Sequence, residues 1–310
     1  MHTYGGEMMV ATEPAKDNIC AVIVTYQPDD DFEMRARRIA DLVDQVIVVD
    51  NHSNFATVKR LRRLNLKSQS KLLLNNHNLG VATALNQGVK MALDLGYKWT
   101  LLFDQDSNPH ETMVQILAAV FRTFPEKNKL ALIGSNYHDA NSGLVLYPSK
   151  TSNSSDWIEQ KTVITSGSLL QLQLFKTIGR FRDEFFIDHV DHEYCLQARA
   201  RGYRIISTSQ PLMTHSLGEA ATHRLLWRSV VISNHSALRH YYMMRNHIVM
   251  AKEYIFKEPG WVISTLYWRL IANILIIPFE KDKATKIKLC FLGFFDGLTS
   301  NFIRILDKAN

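Results

Sequence analysis

Cysteine is scarce in this chain, and its pattern is not typical of a disulfide framework or a zinc site. The three cysteines, Cys20, Cys195 and Cys290, are odd in number and far apart, and no CxxC pair occurs. Disulfide-stabilised folds and cysteine-ligated zinc are therefore not expected, and a reducing cytoplasm fits this usage. The N-terminus has neither a basic start nor an apolar stretch, so residues 1–17 are predicted to be a flexible tail rather than a signal peptide.

Glycine-rich phosphate-binding loops are also absent. The first strongly apolar segment is followed by Thr25-Tyr26-Gln27-Pro28, which matches neither GxGxxG nor a P-loop. This argues against a nicotinamide dehydrogenase and against a P-loop kinase. A phosphate-bearing ligand at this position would need a metal ion rather than a cradle of backbone amides.

Charge is distributed unevenly along the 310 residues. Lysine and arginine number 36 and the acids 30, a formal net charge of +6. From residue 222 to the end, 13 basic residues face 6 acidic ones, a net charge of +7. The preceding 221 residues hold 23 against 24, a net charge of −1. The basic excess is compatible with nucleic acid, an anionic membrane surface or a phosphorylated substrate, but no nucleic-acid-binding motif accompanies it.

The first 135 residues alternate short apolar runs with helical patterns. Strands are predicted at Ile19–Thr25, Gln45–Val49, Lys71–Leu74, Trp99–Phe103 and Leu130–Gly134. Helices are predicted at Phe32–Val43, Phe55–Leu64, Val81–Leu95 and Glu111–Phe124. This order indicates an α/β domain with a mainly parallel sheet, in which ligands bind beyond the carboxyl ends of the strands.

The second half combines irregular segments with a helical end. A loop or irregular hairpin is predicted for 135–156, a strand, turn and short helix for 162–181, a helix for Asp188–Arg201 and a strand for Arg204–Ser207. From His235 the pattern is helical, with breaks near Pro259 and Pro278. We therefore predict an α/β domain over 18–221, with halves at about 18–107 and 108–221, and a helical region over 222–310.

One apolar segment raises the question of a membrane span. Trp261–Phe279 is 19 residues long, close to the length that crosses a bilayer. Arg269 and Asn273 near its middle are costly in lipid, and Pro278 lies near its end. A buried or interfacial helix is favoured, with a true span as the alternative.

Two groups of acids carry the chemical signal. Asp104 and Asp106 follow an apolar strand, where two carboxylates can bridge a divalent cation to phosphates; the alternative is a solvated turn. Asp188 and Asp191 share a helix face, and Asp188 is suited to capping that helix. His215, after another strand, is a candidate nitrogen ligand or a structural histidine.

In this order, these segments resemble inverting family 2 glycosyltransferases with the GT-A fold, a Rossmann-like mixed sheet flanked by helices. The resembling segments are AVIVTYQP, VIVVDN, NNHNLGVATALNQG, LLFDQDS, TSGSLL, FRDEFFIDHVDHEYCLQARARGY and THSLGE. The DQDS form and the FFID-x-VD-x-E-x-CL-x-A stretch are most similar to bacterial rhamnosyltransferases that use dTDP-L-rhamnose. Asn51 departs from the pattern of many relatives, which have a second acid there.

The resemblance implies a role for each matching residue. Thr25 and Tyr26 would border the base and ribose, and Asp50 would hydrogen-bond the pyrimidine. The remaining donor-binding positions would be Asn78, Gly80, Asn86, Asp104 and Gln105. Asp104, Asp106 and His215 would hold Mg²⁺ or Mn²⁺, and Asp191 would be the catalytic base.

The resemblance also implies an activity and partners. The expected reaction is inverting transfer of L-rhamnose from dTDP-β-L-rhamnose to a hydroxyl of a glycan or a polyprenyl-diphosphate-linked glycan, in bacterial surface polysaccharide synthesis. The alternatives are a UDP-hexose donor and a non-catalytic nucleotide-sugar binding module. A nucleotidyltransferase is disfavoured because its glycine-rich loop is missing. The protein is expected to be cytoplasmic, with peripheral contact to an anionic membrane and a homo-oligomer as further possibilities, and no nucleic-acid partner.

Overall fold

The computed structural model describes residues 11–64, 66, 70–139, 145, 156–215, 221–225, 228–232, 235–275 and 280–302. The strands are β1 (Ile19–Thr25), β2 (Gln45–Asp50), β3 (Lys71–Leu74), β4 (Trp99–Asp104), β5 (Asn108–Pro109), β6 (Leu130–Asp139), β7 (Trp157–Glu159), β8 (Ser168–Gln171), β9 (Arg204–His215), β10 (Ala221–Leu225) and β11 (Arg228–Ile232). The helices are α1 (Phe32–Leu42), α2 (Phe55–Leu61), α3 (Gly80–Asp94), α4 (Met113–Thr123), α5 (Leu172–Ile178), α6 (Val190–Ala200), α7 (Ala237–Tyr254), α8 (Pro259–Leu275) and α9 (Lys283–Thr299).

A mixed sheet forms the centre of the molecule. Its order is β3-β2-β1-β4-β8-β6-β9-β5, with β7 beside β9. The strands β3, β2, β1 and β4 are parallel, whereas β8 runs antiparallel to both of its neighbours. The carboxyl ends of β1, β2 and β4 therefore lie at one edge, where the sequence places its polar residues.

Both faces of the sheet are buried, and alternate residues of each strand point to opposite faces. All seven residues of β1 are buried, so the strand reads as one apolar run. Val22 packs in a cluster with α3, α5 and α6, while Ile23 packs in a second cluster with α1 and α4. Val249 of α7 and Val262 of α8 join the first cluster, so the C-terminal helices share the core of the sheet.

The first four predicted strands match the structure closely, but three other predictions needed correction. β6 and β9 are longer than predicted because they pair with each other through irregular registers beyond Gly134. In the 162–181 segment the strand β8 follows the Ser-Gly-Ser turn instead of preceding it. Residues 222–310 are not purely helical, since β10 and β11 form an antiparallel pair at their start.

Part of the predicted N-terminal tail is bound to the domain. The Trp99 Nε1 donates to the Thr12 carbonyl at 2.9 Å, and Ala11 N donates to the Asn128 side chain at 3.1 Å. Residues 16–18 form a single 3₁₀ turn that leads into β1. The sequence missed this contact because the partners lie about 90 to 117 residues away. Residues 1–10 lie outside the described part of the chain.

The segment predicted to be a buried or interfacial helix forms α8. Trp261 and Val262 at its start are buried, whereas Ile263 and Trp268 are exposed. Among the residues that the structure describes, no helix is long and apolar enough to cross a membrane. Residues 276–279, the end of the predicted segment, are outside the described ranges.

Candidate functional site

Asp50 anchors the loop that follows β2. Its Oδ1 accepts hydrogen bonds from Thr25 Oγ1 at 3.0 Å and Ser53 Oγ at 2.6 Å, and its Oδ2 accepts from Ser53 N at 2.8 Å. The carboxylate is buried, so these bonds replace its lost hydration. Ser53 Oγ also accepts from Gln27 N at 2.8 Å. Asp50 thus joins the loops after β1 and β2 into one rigid unit.

Gln105 ties the Asp104-Gln105-Asp106 turn to the first strand. Its Oε1 accepts from the backbone N–H of Tyr26 at 2.8 Å, and its carbonyl accepts from Arg35 Nε at 2.9 Å. The Tyr26 ring is half exposed beside this junction. Gln105 therefore holds the ends of β1 and β4 together. The face of the Tyr26 ring is accessible at the edge of the sheet.

The backbone brings His215 next to the acidic turn. β5 follows that turn directly, and its Asn108 pairs with Thr214 of β9. His215 is the next residue, so its backbone lies beside the Asp104–Asp106 turn. The Ser107 hydroxyl, buried behind the turn, hydrogen-bonds the Ser166 hydroxyl. The pairing of β5 with β9 therefore brings the backbone of His215 to the sheet edge that carries the acidic turn.

The donor set at this edge fits a hard divalent cation. Carboxylate oxygens, together with diphosphate oxygens from a ligand, are the preferred ligands of Mg²⁺, and Mn²⁺ also accepts an imidazole nitrogen. Within the described residues, no group of three or more His, Cys, Asp or Glu side chains could hold a metal ion. The side chain of His215 lies outside what the structure describes. Asp104 and Asp106 would supply the protein oxygens, and the metal role of all three residues remains a prediction.

The hydrogen bonds of Asn51 account for an amide at a position where many relatives have an acid. Its Nδ2 donates to Asn78 Oδ1 at 2.8 Å, while its Oδ1 accepts from Leu79 N at 2.9 Å. A carboxylate at this position could not donate the first bond. Asn78 Oδ1 also accepts from Gly80 N at 3.0 Å. The amide at position 51 therefore fixes the 78–80 segment against the end of β2.

Asn86 has a structural position on the inner side of α3. Its Nδ2 donates to the Phe181 carbonyl and to Asp183 Oδ1, both at 2.8 Å, and its Oδ1 accepts from Phe181 N at 3.0 Å. Thr83 donates to the same Asp183 oxygen at 2.9 Å. The side chain of Asn86 thus braces the 181–183 segment, and the structure does not place it with the residues at the strand ends.

Gly80 is the point where the predicted donor segment touches the segment that leads to Asp191. Its φ is +83°, and a Cβ added there would lie 2.6 Å from the Phe186 carbonyl oxygen. The neighbouring Val81 N–H donates to that same oxygen at 2.6 Å. Only glycine allows this close approach of the two backbones.

The Gly80→Ala variant is expected to lose about 2–4 kcal/mol of unfolding free energy, because backbone strain is added to a steric clash. Gly96→Ala is the matched control: Gly96 has a φ of +86°, but a Cβ there meets nothing within 4 Å. It should lose only about 1–2 kcal/mol. Urea unfolding of both variants measures the difference, and equal losses would contradict the close approach.

The segment before α6 has an unusual backbone. Phe186, Asp188 and His189 have φ values of 60°, 63° and 61°, in the left-handed region that non-glycine residues seldom adopt. Such strain is typical of functional segments held by surrounding structure. The helix begins at Val190, and His189, with no capping bond, occupies the N-cap position. The predicted cap at Asp188 is therefore wrong.

α7 clamps this strained segment, and no motif in the sequence indicated it. The Nδ2 of buried Asn246 donates to the carbonyl oxygens of Phe185, Ile187 and Asp188, each at 2.9 Å. The Asp188 carboxylate pairs with Arg239, whose Nε and Nη2 both lie 3.0 Å from its oxygens. The available signal was the polar run Arg245-Asn246-His247, which lies between apolar residues in the middle of the helix.

Asp191 lies in the first turn of α6, directly after the clamped segment. Its side chain is partly exposed, and its Oδ1 accepts from His192 N at 2.8 Å. Burial, reinforced by the positive charge of Arg269, lowers the pKa of nearby His247 to about 4. Burial also lowers the pKa of His189 well below its usual value. Both rings are therefore neutral at pH 7.

Comparison with known proteins agrees with this architecture. Residues 20–138 match the model of glycosyl transferase family 2. The chain is 27% identical over 297 residues to the dTDP-rhamnosyl transferase RfbF of Shigella flexneri, covering 91% of this chain and 95% of that protein.

Solved structures give the same fold. The mannosyltransferase PcManGT of Pyrobaculum calidifontis, in complex with GDP-Man and Mn²⁺, has a TM-score of 0.54 at 14% identity and covers 98% of this chain and 92% of its own. A 1–349 fragment of S. aureus TarS has a TM-score of 0.52 at 14% identity, with 93% of each chain covered. The chain spans 46% of the longer TarS structure.

The matched residues 20–138 contain β1 to β4 and the strand-end loops that carry Asp50 and the Asp104-Gln105-Asp106 turn. A mixed sheet flanked by helices is the arrangement expected from the sequence resemblance. Residues 20–138 therefore match a glycosyl transferase family 2 domain, and the chain has the GT-A fold of these solved structures.

Proposed function

We propose that this protein transfers L-rhamnose from dTDP-β-L-rhamnose to a hydroxyl of a glycan or a polyprenyl-diphosphate-linked glycan, with inversion at the anomeric carbon. The main supporting observation is the contact between Gly80 and Phe186. It joins the strand ends proposed to bind the donor to the segment that leads to Asp191. The choice of sugar is supported by the similarity to the Shigella flexneri dTDP-rhamnosyl transferase over most of both chains.

The nucleoside end of the donor is assigned to the loops after β1 and β2. The exposed face of Tyr26 suits stacking on a base, and Thr25 and Asp50 fix the loop backbone beside it. Gln105 holds the turn after β4 against Tyr26, so the proposed sites for the base and the diphosphate are rigidly connected. Asn78 and Gly80 shape the neighbouring wall through the bonds that Asn51 supplies.

Asp104, Asp106 and His215 would hold a divalent cation at the diphosphate. When bound, that cation stabilises the negative charge that develops on the departing nucleoside diphosphate. This assignment is supported by the bonds of Gln105 and the buried Ser107–Ser166 pair, which hold the turn that carries both carboxylates. The short β5–β9 pairing keeps the His215 backbone at the same edge.

Asp191 is assigned as the general base. An acceptor hydroxyl is a weak nucleophile, and a carboxylate within hydrogen-bond reach removes its proton as the new bond forms. The side chain is partly exposed and therefore accessible to a hydroxyl. The strained backbone before it, clamped by Asn246, fixes the start of the helix that carries Asp191. A single displacement from a β-linked donor gives an α-L-rhamnoside.

Titration calorimetry with a set of nucleotide sugars tests the donor assignment. In the presence of Mn²⁺, dTDP-L-rhamnose is expected to bind more tightly than UDP-glucose, UDP-galactose or UDP-N-acetylglucosamine, because the site is proposed to recognise thymine and a deoxy sugar together. Binding of a UDP-hexose with no binding of dTDP-L-rhamnose would contradict the proposed donor and favour the UDP-hexose alternative.

A further inference from the structure

The last helix, α9, buries polar side chains and exposes much of its apolar surface. The residues it buries are small or polar: Lys286, Cys290, Gly293, Asp296 and Gly297. Leu289 and Leu292 pack against the cluster of Phe186, Tyr241 and Tyr242. Five other large apolar residues are 37–63% exposed: Ile287, Phe291, Phe294, Phe295 and Leu298. A surface helix in water normally shows the opposite pattern. The outward face of α9 is thus built for an apolar environment.

The buried polar groups of α9 are fully engaged, so its orientation is specific. Lys286 Nζ donates to Glu280 at 2.8 Å, and the same carboxylate oxygen lies 2.9 Å from His240 Nε2. Asp296 accepts from the Tyr241 hydroxyl at 2.9 Å. Rotating the helix to hide its aromatic residues would break these bonds and leave buried charges unpaired.

Two glycines hold α9 unusually close to α7. A Cβ on Gly297 would lie 2.7 Å from the Arg245 carbonyl oxygen, and one on Gly293 would collide with the Tyr241 carbonyl. Small residues four apart at a helix contact are also how helices pack where lipid surrounds them. The contact leaves no space for the outer face to turn inward.

α8 buries Trp261 and Val262 at its start, but it also exposes large apolar residues. Ile263, Tyr267, Trp268 and Leu270 are 58–64% exposed. Arg269, in contrast, is turned toward α7, where its Nη1 lies 3.9 Å from Met243 Sδ. Tyrosine and tryptophan are the side chains that favour the boundary between lipid headgroups and acyl chains. Two adjacent helices of the C-terminal region therefore present aromatic and aliphatic surface outward.

Basic residues border this surface. Lys281, Lys283 and Lys288 are exposed, and none of them forms an ion pair with another residue in the part of the chain that the structure describes. Exposed lysines beside an apolar helix face are attracted to anionic lipid headgroups. This charge favours an anionic bilayer over a second copy of the same basic surface, which would repel it.

We propose that the outward faces of α8 and α9 dock onto the surface of an anionic lipid bilayer. The apolar side chains enter the boundary between headgroups and acyl chains, and the three lysines contact the headgroup phosphates. The helices lie along the membrane rather than across it. This inference does not depend on the identity of the donor sugar, and it places the glycosyltransferase domain at a membrane surface.

Flotation of the purified full chain with vesicles tests the proposal, without nucleotide sugar or acceptor. Vesicles of phosphatidylcholine and phosphatidylglycerol should bind the protein, and a Phe291→Ser/Phe295→Ser variant should bind at least about tenfold more weakly. Phe55→Ser is the matched control, since Phe55 is an 85% exposed phenylalanine on α2. It should bind like the parent chain. Circular dichroism confirms that each variant is folded.

The charge contribution is measured separately. Replacing Lys281, Lys283 and Lys288 with glutamine should lower binding to the anionic vesicles about tenfold and remove most of its dependence on salt. Vesicle binding unaffected by the Phe291→Ser/Phe295→Ser change would overturn the proposal. So would a chain that ignores vesicles and forms a dimer that the same two substitutions dissociate.

Discussion

The Asp191→Asn variant is expected to fold normally, to bind the donor as the parent chain does, and to lose sugar transfer by at least about 10²-fold. Asparagine keeps the oxygen that accepts from His192 N, so the start of α6 is preserved. What it lacks is a group that can take the acceptor's proton. Turnover and donor affinity, measured on the same preparations, separate this loss from a binding defect.

Asp188→Asn is the matched control for the base. Asp188 does not cap α6; it has a left-handed backbone and an ion pair with Arg239. Asparagine tolerates that backbone well, and the pair it removes is partly exposed, so most activity should remain. An active Asp191→Asn beside a folded but inactive Asp188→Asn would reverse the assignment of the base.

Asp106→Ala is expected to abolish transfer, and a chelator should inactivate the parent chain reversibly. The substitution removes one of the two carboxylates of the turn and leaves only Asp104, which supplies too few oxygen ligands for a divalent cation. Mn²⁺ affinity, measured by electron paramagnetic resonance in the presence of nucleoside diphosphate, should fall together with activity.

Asp94→Ala is a suitable control for this experiment, because Asp94 is an exposed acid on α3 paired with Lys90. It should leave both Mn²⁺ affinity and transfer unchanged. Full activity of the parent chain in excess EDTA would contradict the role of Asp104, Asp106 and His215 and would reduce the acidic motif to a turn.

The strand-end half of the site was predictable from sequence because it depends on local patterns. Apolar runs define β1, β2 and β4, and parallel strands bring their carboxyl ends to one edge. Asp50 and the Asp104-Gln105-Asp106 turn follow from that alone. The resemblance also predicted the mixed sheet, although β8 was assigned to the wrong side of its turn.

The clamp around Asp191 was not predictable in the same way. Asn246 lies about 60 residues from the carbonyls it holds. Phe186, Asp188 and His189 adopt a left-handed backbone, which contradicts ordinary residue preferences. Asp188 was predicted to be a helix cap because aspartate is a preferred N-cap residue. Local sequence rules fail here because tertiary bonds determine the backbone.

α9 shows the limit of hydrophobic periodicity. The spacing of Ile287, Phe291 and Phe294 is typical of an apolar helix face, but such spacing does not show which way the face points. The structure turns it outward because Lys286 and Asp296 find partners on the inside. Orientation of such a helix is decided by its buried polar bonds.

The most direct test of the account is the configuration of the first sugar product. Purified chain, dTDP-β-L-rhamnose and Mg²⁺ are followed by proton NMR, with water as the acceptor. The proposed single displacement, with Asp191 as base, predicts that α-L-rhamnose appears first and mutarotates later, and that Asp191→Asn produces almost none. First formation of β-L-rhamnose, or tight binding of the donor with no product from the parent chain, would contradict it.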